Sequence, residues 1–463
     1  MKPKQRGARI ADPRLAALQV IYQVAEKGAY ANLILERKLE QAADLSSQDR
    51  HLVTELVNGT IRMLKHLDWV LDLFMKRPVS AQNPWLRNIL RLSLYQLLFL
   101  DSIPDYAAIN SGVELTRSKV GPGLAGLANG ILRNIARHRD EIRYPEPASS
   151  VAFYSVFYSQ PEWLVERLLT EYDHQQVEDM LAYFNQRPQV VLRTNTLKTD
   201  REQLTAILAR DGINSQFSPR SPRAILVDSM ERSLSQSEAY RAGLFYVQNE
   251  ASMLAVNILD PQPGTTVFDL CCGVGGKTTF IAELMGNEGR IDAYDIHNHK
   301  IYLLKSNCAR LGLAIIHAHQ EDIMNLPTGS LQADRVLLDA PCSGLGVLNR
   351  RSDSRWRKTP QDLANLQRLQ AQMLERASLM VANGGILVYS TCTIMKAENE
   401  DVVQTFLDRH PEFSLDGFQA KISFFPLDNQ DKIEASKGML TILPGRYGTD
   451  GMFYARLRRT DGV

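Results

Sequence analysis

The sequence predicts a multidomain protein: an all-α bundle, a small α/β bridging domain, then a Rossmann-like α/β domain. Three observations carry that reading. Apolar residues recur at helical spacing through the first third. A connector with two prolines, Arg143-Tyr-Pro-Glu-Pro-Ala-Ser-Ser150, interrupts the chain. From about residue 250 onward, short apolar runs alternate with helical patterns, the signature of a mostly parallel sheet covered on both faces.

The bundle is expected over residues 1–142. Asp12-Pro13 is a good helix start, because Asp can cap and Pro suits the first turn. Leu15, Leu18, Tyr22 and Ala25 follow at helical spacing. Asn83-Pro84 repeats the device ahead of a stripe of Leu86, Ile89, Leu90, Leu94, Leu97 and Leu98, which Pro104 ends. Helical patterns also cover Ala107–Arg117 and Leu127–His138. The bridging domain is expected over 150–245, where Pro161 opens a helix and Val190-Val-Leu-Arg-Thr-Asn195 reads as a strand. In the last domain, 246–463, strands are expected at Thr266–Leu270, Arg290–Asp295, Ala314–His317, Asp334–Asp339 and Gly385–Ser390. Leu440–Leu443 and Met452–Arg456 would close the edge as an antiparallel pair.

Composition narrows the setting. The 463 residues suffice for about three domains. No run of about eighteen apolar residues exists, and Arg87 and Arg91 interrupt the most apolar segment, so no membrane partner is expected. Met1-Lys-Pro-Lys-Gln-Arg6 lacks the apolar core of a signal peptide. Five cysteines without framework spacing suit a reducing cytoplasm, and no set of residues has metal-ligand spacing. A cytoplasmic, metal-free monomer is expected. The formal charge of +1 hides an asymmetry: residues 1–145 carry 21 Lys and Arg against 14 Asp and Glu. A basic first third on an acidic remainder suggests a nucleic-acid-facing module joined to a catalytic one.

The chemistry concentrates in three places. Asp269-Leu-Cys-Cys-Gly-Val-Gly-Gly-Lys-Thr278 is a glycine loop between a strand and a helix, where backbone can approach a nucleotide-like cofactor. Asp295 ends the next strand, 22 residues after Gly273, and could accept hydrogen bonds from both ribose hydroxyls. Asp322 follows the third strand and could meet a base's amino group. A phosphate-binding loop would need glycine at Cys271, and a dinucleotide loop a small residue at Thr278, so neither fits. The other two places are thiols just beyond strands: Cys342, in Asp339-Ala-Pro-Cys-Ser-Gly344, and Cys392, in Ser390-Thr-Cys-Thr393. Open α/β sheets build sites at that edge. Cys271, Cys272 and Cys308 read as small buried hydrophobes. A thiolate adding to carbon 6 of cytosine makes carbon 5 nucleophilic. A cofactor loop plus two poised thiols therefore points to methyl transfer onto a pyrimidine ring, with Asp339 able to bond the ring's amino or N3 edge. Spacing alone does not choose between the thiols.

These motifs resemble the Sun/Fmu family of bacterial RNA cytosine-5 methyltransferases. The likeness covers nearly the whole chain: Gln248-Asn249-Glu250-Ala251-Ser252, the 269–278 loop, Asp339–Gly344, Ser390–Thr393 with Glu398-Asn399-Glu400, and Thr449-Asp450-Gly451-Met-Phe453. Ile89-Leu-Arg-Leu92, Tyr95–Asp101, Ala107-Ala-Ile-Asn110 and Asn129-Gly-Ile-Leu-Arg133 resemble the family's NusB-like RNA-binding domain. The resemblance implies S-adenosylmethionine as cofactor and a cytosine of 16S small-subunit ribosomal RNA as target. It implies that Cys271, Cys272, Gly273, Val274, Gly275, Gly276 and Lys277 form the cofactor loop. Asp295 would lie near the ribose, Asp322 near the adenine and Asp339 near the methyl end. Cys392 would be the nucleophile and Cys342 would assist breakdown of the adduct. The chain departs from the family pattern at Val274, Ser352 and Lys396, where the family has Pro, and at Asn249, where it has Asp. Arg350, Arg351, Arg355 and Arg357, with Trp356 among them, are expected to meet RNA, and Lys2, Lys4, Arg6 and Arg9 could form a basic arm. Two other readings stay open: the same chemistry on another ribosomal RNA or tRNA cytosine, and an RNA-binding assembly factor whose catalysis has decayed.

Overall fold

The structure, a computed structural model, describes residues 12–42, 44–231, 233–327 and 331–460. Lys2, Lys4, Arg6 and Arg9 lie outside these residues. The contacts divide the chain into two compact units. One runs up to Gln186 and includes the later segment Leu348–Arg357; the other holds Arg187–Val347 and the chain from Lys358 onward.

The first unit is helical. Its helices are α1 Pro13–Lys27, α2 Ala31–Gln41, α3 Ser47–Arg62, α4 Leu64–Phe74, α5 Pro84–Phe99, α6 Asp105–Lys119, α7 Pro122–Arg137, α8 Val151–Phe157, α9 Glu162–Glu171 and α10 His174–Phe184. Both predicted starts hold. The Asp12 carboxylate accepts from Arg14 N at 2.9 Å, and the Asn83 side chain accepts from Trp85 N at 2.9 Å. Each satisfies an N–H that the helix cannot. Helix α5 is buried almost all round, so its polar residues need partners. Arg91 finds the Asp68 carboxylate through two bonds of 2.7 and 2.6 Å.

The second unit contains two sheets. Strands β1 Val190–Thr194, β2 Ile213–Phe217, β3 Ala224–Met230 and β4 Phe245–Val247 form an antiparallel sheet in the order β2-β3-β1-β4. Helices α11 Arg201–Arg210 and α12 Glu238–Arg241 belong to this segment. Thus α8–α10 of the expected bridging segment group with the helical unit, while its sheet groups with the second.

The larger sheet comprises β5 Thr266–Asp269, β6 Arg290–Asp295, β7 Ile316–Gln320, β8 Ala333–Asp339, β9 Val381–Thr391, β10 Phe413–Leu415, β11 Met439–Ile442 and β12 Met452–Arg459. Its order is β10-β12-β9-β8-β5-β6-β7, with β11 also paired to β12. Strands β5 to β9 run parallel, and β12 returns antiparallel to β9. The expected pair of Leu440–Leu443 with Met452–Arg456 forms as β11 and β12, and β10, not among the expected strands, also pairs with β12. Strand β7 starts later than expected because Gly312 ends the preceding helix in a left-handed turn and Ala314 N is taken by the Asn287 side chain. Side chains alternate along β9: Ile386 and Val388 enter one buried cluster, Leu387 and Tyr389 the other. Both faces are therefore covered, as a parallel sheet requires. The remaining helices are α13 Glu250–Leu259, α14 Gly276–Leu284, α15 Asn298–Leu311, α16 Pro360–Ser378, α17 Glu400–Leu407 and α18 Asn429–Lys437.

This order fixes the site. From β5 the chain builds outward through β6 to β7, then crosses back to place β8 and β9 on the other side of β5. The crevice beyond the carboxyl ends of β5 and β8 is the switch point where such sheets bind ligands.

Candidate active site

The glycine loop leaves β5 at Asp269 and enters α14 at Gly276. Gly275 has φ +93, a left-handed conformation that disfavours any side chain, and a Cβ there would also press on Leu304 Cδ1 of α15, 2.3 Å away. The space is open at Gly273, where a Cβ would meet nothing within 4 Å. The loop is thus packed beneath and open above, a cradle that suits a flat, polar ligand. Val274, half-exposed in place of the family's proline, is held through its carbonyl, which accepts from Asn307 Nδ2 at 3.0 Å. The Asp295 carboxylate accepts from Gly273 N at 3.2 Å, from His297 N at 2.9 Å and from Lys300 Nζ at 3.1 Å. That set ties the end of β6 to the loop, with the carboxylate at the crevice. Asp322 is exposed beyond β7, its carboxylate capping a short turn through Met324 N at 3.0 Å.

Buried beneath the loop, Asp269 accepts from Thr278 Oγ1 at 2.7 Å through one oxygen, while its other oxygen has no hydrogen-bond partner among the described residues. Burial pushes its carboxyl up to about 7, against the opposing bond from Thr278. A residue the sequence did not flag secures the loop's exit. Arg193 of β1 is fully buried and donates to Gly276 O at 2.7 Å, Thr279 Oγ1 at 2.9 Å, and both Glu283 oxygens at 3.0 and 2.8 Å. It also reaches Gln248 Oε1. A buried charge is tolerated only with such a full set of partners.

On the other side of the switch point, β8 and β9 are in register with Asp339 opposite Ser390. Their following loops therefore emerge side by side. Cys342 Sγ and Cys392 Sγ lie 3.3 Å apart. Asp339 accepts from Ser390 Oγ at 2.9 Å and from Lys277 Nζ at 2.6 Å, which brings the end of the glycine loop to the thiol half of the crevice. Burial alone would lower the Lys277 pKa, but attraction to Asp339 and, more weakly, to Cys392 raises it. The hydrogen bond with Cys392 and then burial push the Cys342 thiol well up, with Glu398 and Asp339 adding repulsion. Cys342 therefore holds its proton more tightly than a free thiol does.

Two consecutive side chains hold the two thiol loops. Glu398, fully buried, accepts from Ser343 N at 2.9 Å, Ser343 Oγ at 2.5 Å, Thr393 Oγ1 at 3.1 Å and Gln370 Nε2 at 2.9 Å. Gln370 also donates to Pro341 O at 2.9 Å. Asn399 accepts from Thr391 Oγ1 at 2.6 Å and donates to Thr393 O at 3.1 Å, bracketing Cys392. Gly346 closes the arrangement: its N–H donates to Cys392 O at 3.0 Å and its carbonyl accepts from Gly451 N at 2.8 Å. A Cβ at Gly346 would fall 2.3 Å from Gly451 O, so no larger residue fits. Asn249, where the family has Asp, still caps α13 through Ala251 N at 2.8 Å and accepts from Thr449 Oγ1 at 2.8 Å. Asn and Asp cap about equally well.

The structure corrects one expectation. Arg355, Trp356 and Arg357 are not poised for RNA, because helix ends in their own unit use them. Fully buried Arg355 donates to Phe184 O at 2.9 Å, Asn185 Oδ1 at 2.9 Å and Ser159 O at 3.2 Å. Trp356 Nε1 donates to Ile61 O at 2.8 Å, and Arg357 to Gly28 O at 2.9 Å and to Ala29 O. These are carbonyls that a terminating helix leaves open. Arg350 and Arg351 are exposed.

Cys272 is buried, and Cys271 and Cys308 are partly so. Burial raises all three thiols, that of Cys308 to about 11. Among the described residues no cluster of three or more His, Cys, Asp or Glu could hold a metal ion, and no helix is long and apolar enough to cross a membrane.

Known proteins share this organisation. The family described as 16S rRNA methyltransferase RsmB/F matches residues 256–458. The NusB family matches 11–137, and the RsmF/B-like ferredoxin-like domain matches 160–232. A probable ribosomal RNA small subunit methyltransferase B of Bacillus subtilis (strain 168) is 36% identical over 96% of this chain and 98% of its own. Ribosomal RNA small subunit methyltransferase B of Yersinia pseudotuberculosis (serotype O:1b, strain IP 31758) is 31% identical over 96% of this chain and 98% of its own. The crystal structure of PH0851 is 28% identical, covers 97% of this chain and 99% of its own, and superposes with a TM-score of 0.79. The fold is thus a NusB-like helical domain, a ferredoxin-like domain and a Rossmann-like methyltransferase domain. With full-length likeness at this level, the chain belongs to the RsmB/F family of 16S rRNA methyltransferases.

Proposed function

We propose that the chain methylates carbon 5 of a cytosine in 16S ribosomal RNA, with S-adenosylmethionine as methyl donor and Cys392 as nucleophile. The observation that carries this is the pair of sulfurs 3.3 Å apart beside the Lys277–Asp339 ion pair. In this reading the Cys271–Lys277 loop cradles the cofactor, with Asp295 on the ribose and Asp322 at the adenine edge. Residues 1–142 serve RNA binding, 150–245 bridge, and 246–463 carry the chemistry.

The target base must leave its stack to reach the crevice. Asp339, its carboxylate oriented by Ser390 and Lys277, accepts from the cytosine amino group and fixes the ring. A cation beside a thiol favours the thiolate, and Lys277 is that cation for Cys392. The Cys392 sulfur bonds to carbon 6, and the electron pair of the 5,6 double bond moves to carbon 5. When bound, S-adenosylmethionine supplies an electrophilic methyl group, which carbon 5 takes. The proton on carbon 5 must then leave, its electrons re-forming the double bond and expelling the Cys392 thiolate. Cys342 fits that step. Once Cys392 is a neutral thioether, the hydrogen bond and charge that held the Cys342 proton are gone. Its thiol then becomes acidic enough to lose its proton to water, and the resulting Cys342 thiolate accepts the carbon-5 proton.

The test is transfer of labelled methyl from S-adenosylmethionine to unmodified 16S ribosomal RNA transcript, mapped by bisulfite sequencing. One protected cytosine that disappears with Cys392→Ala is expected. Silence on 16S, large-subunit and transfer RNA alike would sink the reading.

A further inference from the structure

The helical unit carries a groove of about 840 Å³ between the end of α4 and one face of α7, lined by no residue of the candidate active site. We propose that this groove binds a single-stranded segment of the RNA substrate; the identification of the ligand rests on the function proposed above. Its lining contains four cations, Lys76, Arg77, Arg133 and Arg137, and no carboxylate. Lys76 and Arg77 stand on the rim that follows α4, Arg133 and Arg137 on the α7 rim, and all four are exposed. Arg133 Nε donates to Asn129 Oδ1 at 2.9 Å. Among the described residues, Lys76, Arg77 and Arg137 make no ion pair with a protein acid. Opposed rows of unneutralised cations suit a backbone bearing one charge per nucleotide.

The floor separates RNA from an acidic protein segment. Phe74 and the 44% exposed Leu127 supply apolar surface against which an unstacked base can lie. Asn134 places a side-chain amide, donor and acceptor together, at the same wall, as base edges require. Gly126 and Gly130 also line it, and a Cβ on either would meet nothing within 4 Å. With Arg133 and Arg137 they occupy one helical face, bare backbone giving way to charge. A glycine inside a helix costs about 1 kcal/mol relative to alanine. Two such residues facing open space are explained by a ligand that approaches the backbone closely, not by packing within the unit.

The test uses the full chain and a fluorescein-labelled single-stranded fragment of 16S transcript, with binding read by anisotropy across a salt series. In K76Q/R77Q/R137Q, Kd rises on the order of 10- to 100-fold, and the slope of log Kd against log salt falls by about 2, roughly 0.7 for each lost phosphate contact. The charge-keeping K76R/R77K/R137K stays within about threefold of the parent, as point charges on phosphate require. The thermal melt confirms that the exposed substitutions leave the fold intact. An unchanged Kd and slope in the neutralised variant overturn the proposal. So does loss of binding to an acidic helical peptide while RNA binding persists. The two readings fail separately. If the parent methylates no RNA yet neutralisation still weakens RNA binding, the groove stands and the methyltransferase reading falls. If methyl transfer proceeds and neutralisation changes nothing, the groove falls alone.

Discussion

Cys342 and Cys392 lie at one sheet edge with their sulfurs in contact, yet their surroundings divide the work. The Cys342 loop is gripped by Glu398 through Ser343, and the hydrogen bond with Cys392, burial and, more weakly, acidic neighbours hold its proton in place. The Cys392 loop is gripped chiefly by the next residue, Asn399, through Thr391 and Thr393, with Glu398 also accepting from Thr393, and its sulfur interacts electrostatically with Lys277. Register places two equal thiols; local charge makes them unequal. In the function proposed above, the thiol with the raised pKa stores a proton and the thiol near a cation attacks.

The largest test of that inequality removes each sulfur in turn. Cys392→Ala should lower kcat by about 10⁴-fold or more, the scale of losing a covalent nucleophile. Cys342→Ala should instead leave the adduct unresolved, seen as a slow protein–RNA band on a denaturing gel. The double variant should lack the band. A band from Cys392→Ala and none from Cys342→Ala would reverse the roles.

Next come the two residues that hold the loops. Glu398→Gln turns one of the two oxygens that order Ser343 into a donor and should cost roughly 10- to 100-fold in kcat, because displacing a reacting group by about 1 Å has that effect. Adduct should accumulate, since Cys342 is the thiol displaced. Asn399→Ala should slow adduct formation instead. S-adenosylmethionine affinity should hold in both, because neither residue touches the glycine loop. If the two variants behave alike, the loops do not act separately.

A smaller effect comes from the proton on Cys342. Its folded pKa is raised, so folding favours the protonated thiol. The stabilisation is complete below the unfolded thiol value near 8.5 and fades as pH climbs through the folded one. Denaturant melts of the parent and Cys342→Ala should therefore converge as pH rises above about 8.5. Parallel curves would place the proton elsewhere.

How much of this could be read from the sequence follows from which forces are local. Asp12-Pro13 and Asn83-Pro84 announced helices because capping acts within three residues. The glycine loop and Asp295 were legible because strand, turn and helix follow one another directly. Helices α2 to α4 were not assigned: α2 buries only Ala31 and Leu35, too few for a stripe. The grip of Glu398 and Gln370 on the Cys342 loop joins residues 28 to 55 positions apart, and no pattern in the chain marks that pairing. Arg355 shows the converse failure. A run of arginines beside an aromatic looks like an RNA surface, but composition does not reveal which carbonyls a guanidinium reaches. Here the open ends of helices took it.

The smallest expected effect supplies the control for the whole comparison. Cys308 is also a free, partly buried thiol of the same unit, packed against the apolar clusters beneath the sheet. No carboxylate or cation distinguishes it; burial alone pushes its thiol up to about 11. Cys308→Ala should therefore cost about 1 kcal/mol of stability, as small truncations in a packed site do, and leave kcat within about twofold. Adduct should form and resolve as in the parent. A large loss of turnover here would mean that any perturbation under this sheet disturbs catalysis, and the contrast between Cys342 and Cys392 would then lose its chemical meaning.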